Sequence, residues 1–110
     1  HDAFGLREKF LHEGGDYGEL MTGETTLAFA AHSLGSANFP AGYVLASDSP
    51  LPLGVEIALI TDDVYAAHHR ALTNGATELA APVQKPWGQV VSYICAPDGT
   101  LIELCTAVQA

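Results

Sequence analysis

Gln89-Val90-Val91-Ser92-Tyr93-Ile94-Cys95-Ala96-Pro97-Asp98-Gly99-Thr100-Leu101-Ile102-Glu103-Leu104-Cys105-Thr106 holds two apolar runs around a Pro-Asp-Gly turn. β-Branched and aromatic residues favour strands, and Pro-Asp-Gly reverses the chain, so the reading is a hairpin of 89–95 with 100–106. Successive strand side chains alternate between faces. Leu101, Glu103 and Cys105 therefore share one face and Thr100, Ile102 and Leu104 the other. Gln89 and Tyr93 also share a face.

Just before the hairpin, Gly54 to Thr61 reads as a strand, and Asp62-Asp63 as a helix start with carboxylates at the positive dipole end. Val64, Ala67, His68, Ala71 and Leu72 recur at helical spacing, and Asn74-Gly75 closes the helix. Ala76 to Leu79 is then a short strand, and Ala81-Pro82 to Gly88 a loop. In the first half, Gly5 marks the position just past a helix end. Lys9 to Glu13 and Tyr17 to Thr22 are strands around Gly14-Gly15-Asp16, and Thr25 to Ala31 is a third. The chain opens at His1 without an initiator methionine, so a segment ahead of it is expected.

The order repeats. From Gly54 it runs strand, helix and three strands; from His1 it runs helix end and three strands. Gly5 and Gly75 are 70 residues apart, and Gly23 and Gly99 are 76 apart. A period of this size predicts two pseudo-symmetric modules sharing one sheet. The expected organisation is a single domain over 1–110: a partial first module (1–31) lacking its opening strand, a linker (32–53) and a second module (54–110).

Composition excludes several classes. The chain has 110 residues, 48% of them hydrophobic, which suits a globular domain with its own core. A formal charge of −9, with only Arg7, Lys9, Arg70 and Lys85 as strong bases, argues against nucleic acid. No membrane-spanning run or secretory signal is present, so a cytoplasmic location is expected. Cys95 and Cys105 lie in apolar runs and read as free thiols.

Pro97-Asp98-Gly99-Thr100-Leu101-Ile102-Glu103-Leu104 resembles the closing hairpin of the glyoxalase / bleomycin-resistance / dioxygenase superfamily, the vicinal oxygen chelate proteins. Ala3-Phe4-Gly5-Leu6 resembles the end of that family's first helix. Glu56-Ile57-Ala58-Leu59-Ile60-Thr61-Asp62-Asp63 resembles its second-module opening strand, and Lys85-Pro86-Trp87-Gly88-Gln89 the loop before its penultimate strand. The resemblance implies an α+β fold in which paired βαβββ modules form a curved mixed sheet or cleft that holds a ligand. It also implies a homodimer, and in some members a divalent metal that chelates vicinal substrate oxygens.

Both Glu56 and Glu103 match metal-ligand positions of the metal-dependent relatives. Each has apolar neighbours on its strand face, so each needs a cation, a metal or a donor if it is buried. A rim carboxylate paired with lysine or arginine is the bland alternative. The metal set is incomplete, because the first-module position equivalent to Glu103 is Ala28. Trp87 is either an aromatic wall of the site or an ordinary packed tryptophan, while Tyr93 and Gln89 face either the cavity or the helix side. His32 and His12 are candidates to reach the cavity. His68 suits a satisfied core histidine better than a ligand, and His1 and His69 read as solvated.

Two functions follow. The first is a small-molecule binding protein holding a cationic or aromatic ligand between Glu56 and Glu103, with Trp87, Tyr93, Gln89 and His32 as further contacts. The second is a lyase, isomerase or dioxygenase using a divalent cation as Lewis acid. No cofactor is required by the first reading and a divalent metal ion by the second; whether the chain is catalytic stays open.

Overall fold

The computed structural model describes residues 4–15 and 17–108. His1 and Asp16 lie outside them, so the readings that involve those two positions do too. The chain divides into two compact units, His1–Tyr43 and Val44–Ala110. The boundary falls inside the stretch expected to link the modules.

The first unit is a three-stranded antiparallel meander of β1 (Arg7–Leu11), β2 (Tyr17–Met21) and β3 (Leu27–Ala30). Gly5 takes a φ of 69°, as expected for the residue past a helix end. Helix α1 (His32–Asn38) follows β3, so part of the expected linker is helical. No motif announces it: its first turn has no acidic residue and its N-cap is Ala31, without a side-chain cap.

In the second unit β4 (Glu56–Ile60) leads to α2 (Val64–Thr73), then β5 (Thr77–Gln84), β6 (Val90–Cys95) and β7 (Leu101–Cys105). The sheet order is β4-β7-β6-β5, with β4 parallel to β7 and the remaining pairs antiparallel. The strands thus form two hydrogen-bonded sheets, three-stranded and four-stranded, where one shared sheet was expected.

The ends of α2 follow from its sequence. The Asp63 carboxylate accepts from the Ala66 amide at 3.0 Å. At the other end Gly75, with φ 101°, donates to Leu72 O and Ala76 N donates to Ala71 O, a Schellman closure. Val64, Ala67, His68 and Ala71 are the buried residues of the helix. Across from them the sheet buries Ser92, Ile94, Ile102 and Leu104.

The strand expected to stop at Leu79 continues to Gln84, and the loop shrinks to the turn after it. Proline in a central strand would cost a ladder bond. On this edge strand, whose register slips between Glu78 and Ala80 and again between Ala80 and Val83, Pro82 is accommodated. Gly99 closes the β6–β7 hairpin at φ 91°, and a Cβ there would overlap the backbone of Ala46 and Ser47. Gly99 is thus required for both its conformation and its close packing.

Candidate functional site

Register decides which side chains stand together. Ala58 pairs with Glu103 and Glu56 with Leu101 across β4 and β7; Tyr93 pairs with Glu103 across β6 and β7. Glu56, Glu103 and Tyr93 therefore occupy one face of the sheet, with Cys105 next along it. The opposite face takes α2, because Ser92, one residue from Tyr93, bonds to His68 of that helix. Tyr93 thus lies on the face away from the helix, the side left open at the level of sequence.

The Tyr93 hydroxyl donates to Glu103 Oε1 at 3.2 Å. Burial, then the charges of Glu103 and Glu56, hold the Tyr93 hydroxyl above its ordinary value, and the bond to Glu103 adds to this. Burial again, then Glu103 and Glu56, push the Cys105 thiol up. Both groups stay protonated at neutral pH, so the face carries two carboxylates, a hydroxyl donor and a neutral thiol. Glu103 is half-buried and Glu56 exposed. No lysine or arginine pairs with either among the described residues, which removes the rim ion pair as their explanation.

Trp87 lies in the tight turn between β5 and β6, closed by Lys85 N to Gln89 O and Gly88 N to Lys85 O. It is 62% exposed, so it is no core tryptophan. Its Nε1 donates to Gln89 Oε1 at 2.8 Å, and Gln89 Nε2 donates to Thr106 O at 2.8 Å. Gln89 thereby fixes the indole to the end of the sheet.

His32 belongs to the first unit, exposed, with Nδ1 3.0 Å from the Tyr43 hydroxyl. His12 Nδ1 accepts from Gly14 N at 3.3 Å beside the first hairpin turn. His68 is the satisfied core histidine its helical position suggested. Its Nδ1 is 2.8 Å from Ser92 Oγ and its Nε2 2.8 Å from Glu78 Oε2. Facing a carboxylate, Nε2 donates to Glu78, and Nδ1 meets the Ser92 hydroxyl. Ser92 is fully buried, so this Ser–His–Glu chain fastens α2 to β5 and β6 and offers no accessible nucleophile. Sequence reasoning missed it because its members lie 10 and 24 residues apart.

Among the described residues no group of three or more His, Cys, Asp or Glu side chains is gathered to hold a metal ion.

No family model matches the chain, and no curated protein matches it. Solved structures do. A glyoxalase-related enzyme from Fulvimarina pelagi superposes with a TM-score of 0.78 at 16% identity, over 96% of this chain and 73% of its own. The fold is that of the glyoxalase / bleomycin resistance / dioxygenase proteins. A member of that family from Burkholderia phytofirmans PsJN gives a TM-score of 0.75 at 18% identity, covering 98% of this chain and 84% of its own. The bleomycin resistance determinant encoded on transposon Tn5 gives 0.60 at 22% identity, over 97% and 82%. The vicinal oxygen chelate fold expected from the hairpin and opening strand is thus the fold adopted. No helix among the described residues is long and apolar enough to cross a membrane.

Proposed function

We propose that this chain binds a small organic molecule bearing a cationic group on the face of the second sheet away from α2. Glu103 and Glu56 supply the charge, Tyr93 and Gln89 the hydrogen bonds, and Trp87 an aromatic wall. The observation that carries this reading is the placement of two carboxylates on one sheet face with no basic side chain beside them. An ammonium or guanidinium group offers charge and donors together, which suits two acceptors whose nearest neighbour is already a donor. Trp87, held out from the sheet by Gln89, adds a ring face for an aromatic or cationic ligand.

The divalent-metal reading has less support, because the two carboxylates are joined by no third ligand among the described residues. Calorimetric titration with bleomycin, with a flat cationic dye and with Mg2+, Mn2+ and Zn2+ separates the two. Binding of an organic cation that is lost in Glu103→Gln supports the proposal. Tight binding of a divalent ion, with the organic cations inert, would overturn it in favour of the metal-dependent reading.

A further inference from the structure

The chain has two asparagines, Asn38 and Asn74, followed by Phe39 and Gly75 respectively. An asparagine carboxamide is an electrophile within reach of the next residue's amide nitrogen. A side chain on that next residue hinders the approach, and glycine leaves it open. Of the two, Asn74 is thus the one whose neighbour favours loss of the side-chain amide.

The fold sets this dipeptide at the C-terminal end of α2 and ties up both reacting groups. Asn74 has φ −100° and ψ 21°, and its Nδ2 donates to Arg70 O at 2.8 Å. Gly75 N donates to Leu72 O at 3.3 Å, a longer bond than those from Asn74 N, at 3.1 Å, and Ala76 N, at 3.0 Å. A near-helical ψ directs the Gly75 nitrogen along the helix, so ring closure requires ψ to turn until that nitrogen meets Asn74 Cγ. Turning it breaks the bond to Leu72. Thr73, Asn74 and Gly75 are all exposed, so little packing resists the opening.

We propose that Asn74 is a deamidation site gated by fraying of the last turn of α2. When the turn opens, the Gly75 nitrogen attacks Asn74 Cγ. The N–Cγ bond forms, the Cγ–Nδ2 bond breaks, and ammonia leaves with the proton of the Gly75 amide. Water then opens the cyclic imide at either of its carbonyls, which gives aspartate or, with the main chain rerouted through Cγ, isoaspartate. Either product loses the donor to Arg70 O and puts a carboxylate at the negative end of the helix dipole, where an anion is unfavourable. Isoaspartate also lengthens the main chain by a methylene, so the closing bonds from Gly75 and Ala76 cannot re-form together. The opening that admits the reaction is thereby made permanent.

The test is incubation of the chain in warm, mildly alkaline buffer, native and in urea, with peptide mass spectrometry following each asparagine. Asn74 should convert in both conditions, and Asn38 far more slowly in either. The unfolded chain should convert Asn74 at least about tenfold faster than the native one, because the closure must first open. Thr73→Gly weakens the last turn and removes the Thr73 Oγ1 bond to His69 O, so it should speed native conversion severalfold. Asp63→Ala uncaps the far end of the helix and should leave the native rate unchanged. In the deamidated fraction, separated by anion exchange, the Gly75 and Ala76 amides should exchange hydrogen faster while Ala67 keeps its protection. No native conversion, equal native and unfolded rates, equal speeding by Asp63→Ala and Thr73→Gly, or unchanged exchange at Gly75 and Ala76 would each overturn the proposal.

Discussion

Tyr93 and Cys105 report the charge of Glu103 and Glu56. Both groups are neutral when protonated, and both are held above their ordinary values in the folded chain by burial and by Glu103 and Glu56. A raised value means that the folded state keeps its proton where the unfolded state has lost it. Their contribution to stability is therefore complete below the unfolded values, near 9.0 for the thiol and 10.0 for the phenol, and is lost as pH rises through the folded ones. Thermal unfolding followed from pH 8 to pH 11 should show the melting temperature falling from about pH 9 upward. Tyr93→Phe should flatten the upper part of that fall and cost about 1 kcal/mol at neutral pH, for one partly solvated bond to a carboxylate. His68 acts differently, because it is buried between two partners. His68→Ala would leave Ser92 without its partner and a hollow under α2, a loss of about 2–4 kcal/mol measurable by urea unfolding. The common face of Glu56 and Glu103 follows from the two-residue period of a strand. The Ser92–His68–Glu78 chain does not, since it depends on how a helix lies across two strands.

At the level of elements, β7, β6, α2 and the β6–β7 turn were legible because each carries a local signal. The hairpin has Pro97-Asp98-Gly99, and the helix has Asp63 at its start and Asn74-Gly75 at its end. The two misreadings have the opposite cause. β5 outruns its expected end because Pro82 is tolerated on an edge, and whether a strand is an edge depends on sheet order, which no local pattern states. Helix α1 was missed because His32-Ser33-Leu34-Gly35 carries neither an acidic first turn nor a side-chain cap. Capping gives a prediction at this scale. Asp63→Ala should remove the bond to Ala66 N and cost about 1 kcal/mol. Gly99→Ala should cost more, about 2 kcal/mol or above, because it combines a positive φ with a Cβ inside contact distance of the Ala46–Ser47 backbone. Parallel denaturant curves for the two variants test the order as well as the size.

Across the whole molecule, the internal repeat is visible in how the strands pair: β1-β2-β3 and β5-β6-β7 are both antiparallel meanders, and the second gains β4 beside β7. Assembly follows from what these sheets leave uncovered. Val55, Ile60 and Trp87 are 78%, 71% and 62% exposed, and β4 is an edge with neither proline nor lysine to blunt it. A homodimer that covers this edge is expected, and sedimentation at micromolar concentration should show a dimer that Ile60→Lys weakens. Only monomer at that concentration would contradict it.

The central claim, one cationic ligand held by two carboxylates of the second sheet, is tested most directly by following the side-chain carboxyl carbons of Glu56 and Glu103 by 13C NMR during titration with the organic cation that binds. Both signals should move together with one dissociation constant, and Glu103→Gln should abolish the response at Glu56. Saturable binding in which the Glu56 and Glu103 signals stay still would contradict it.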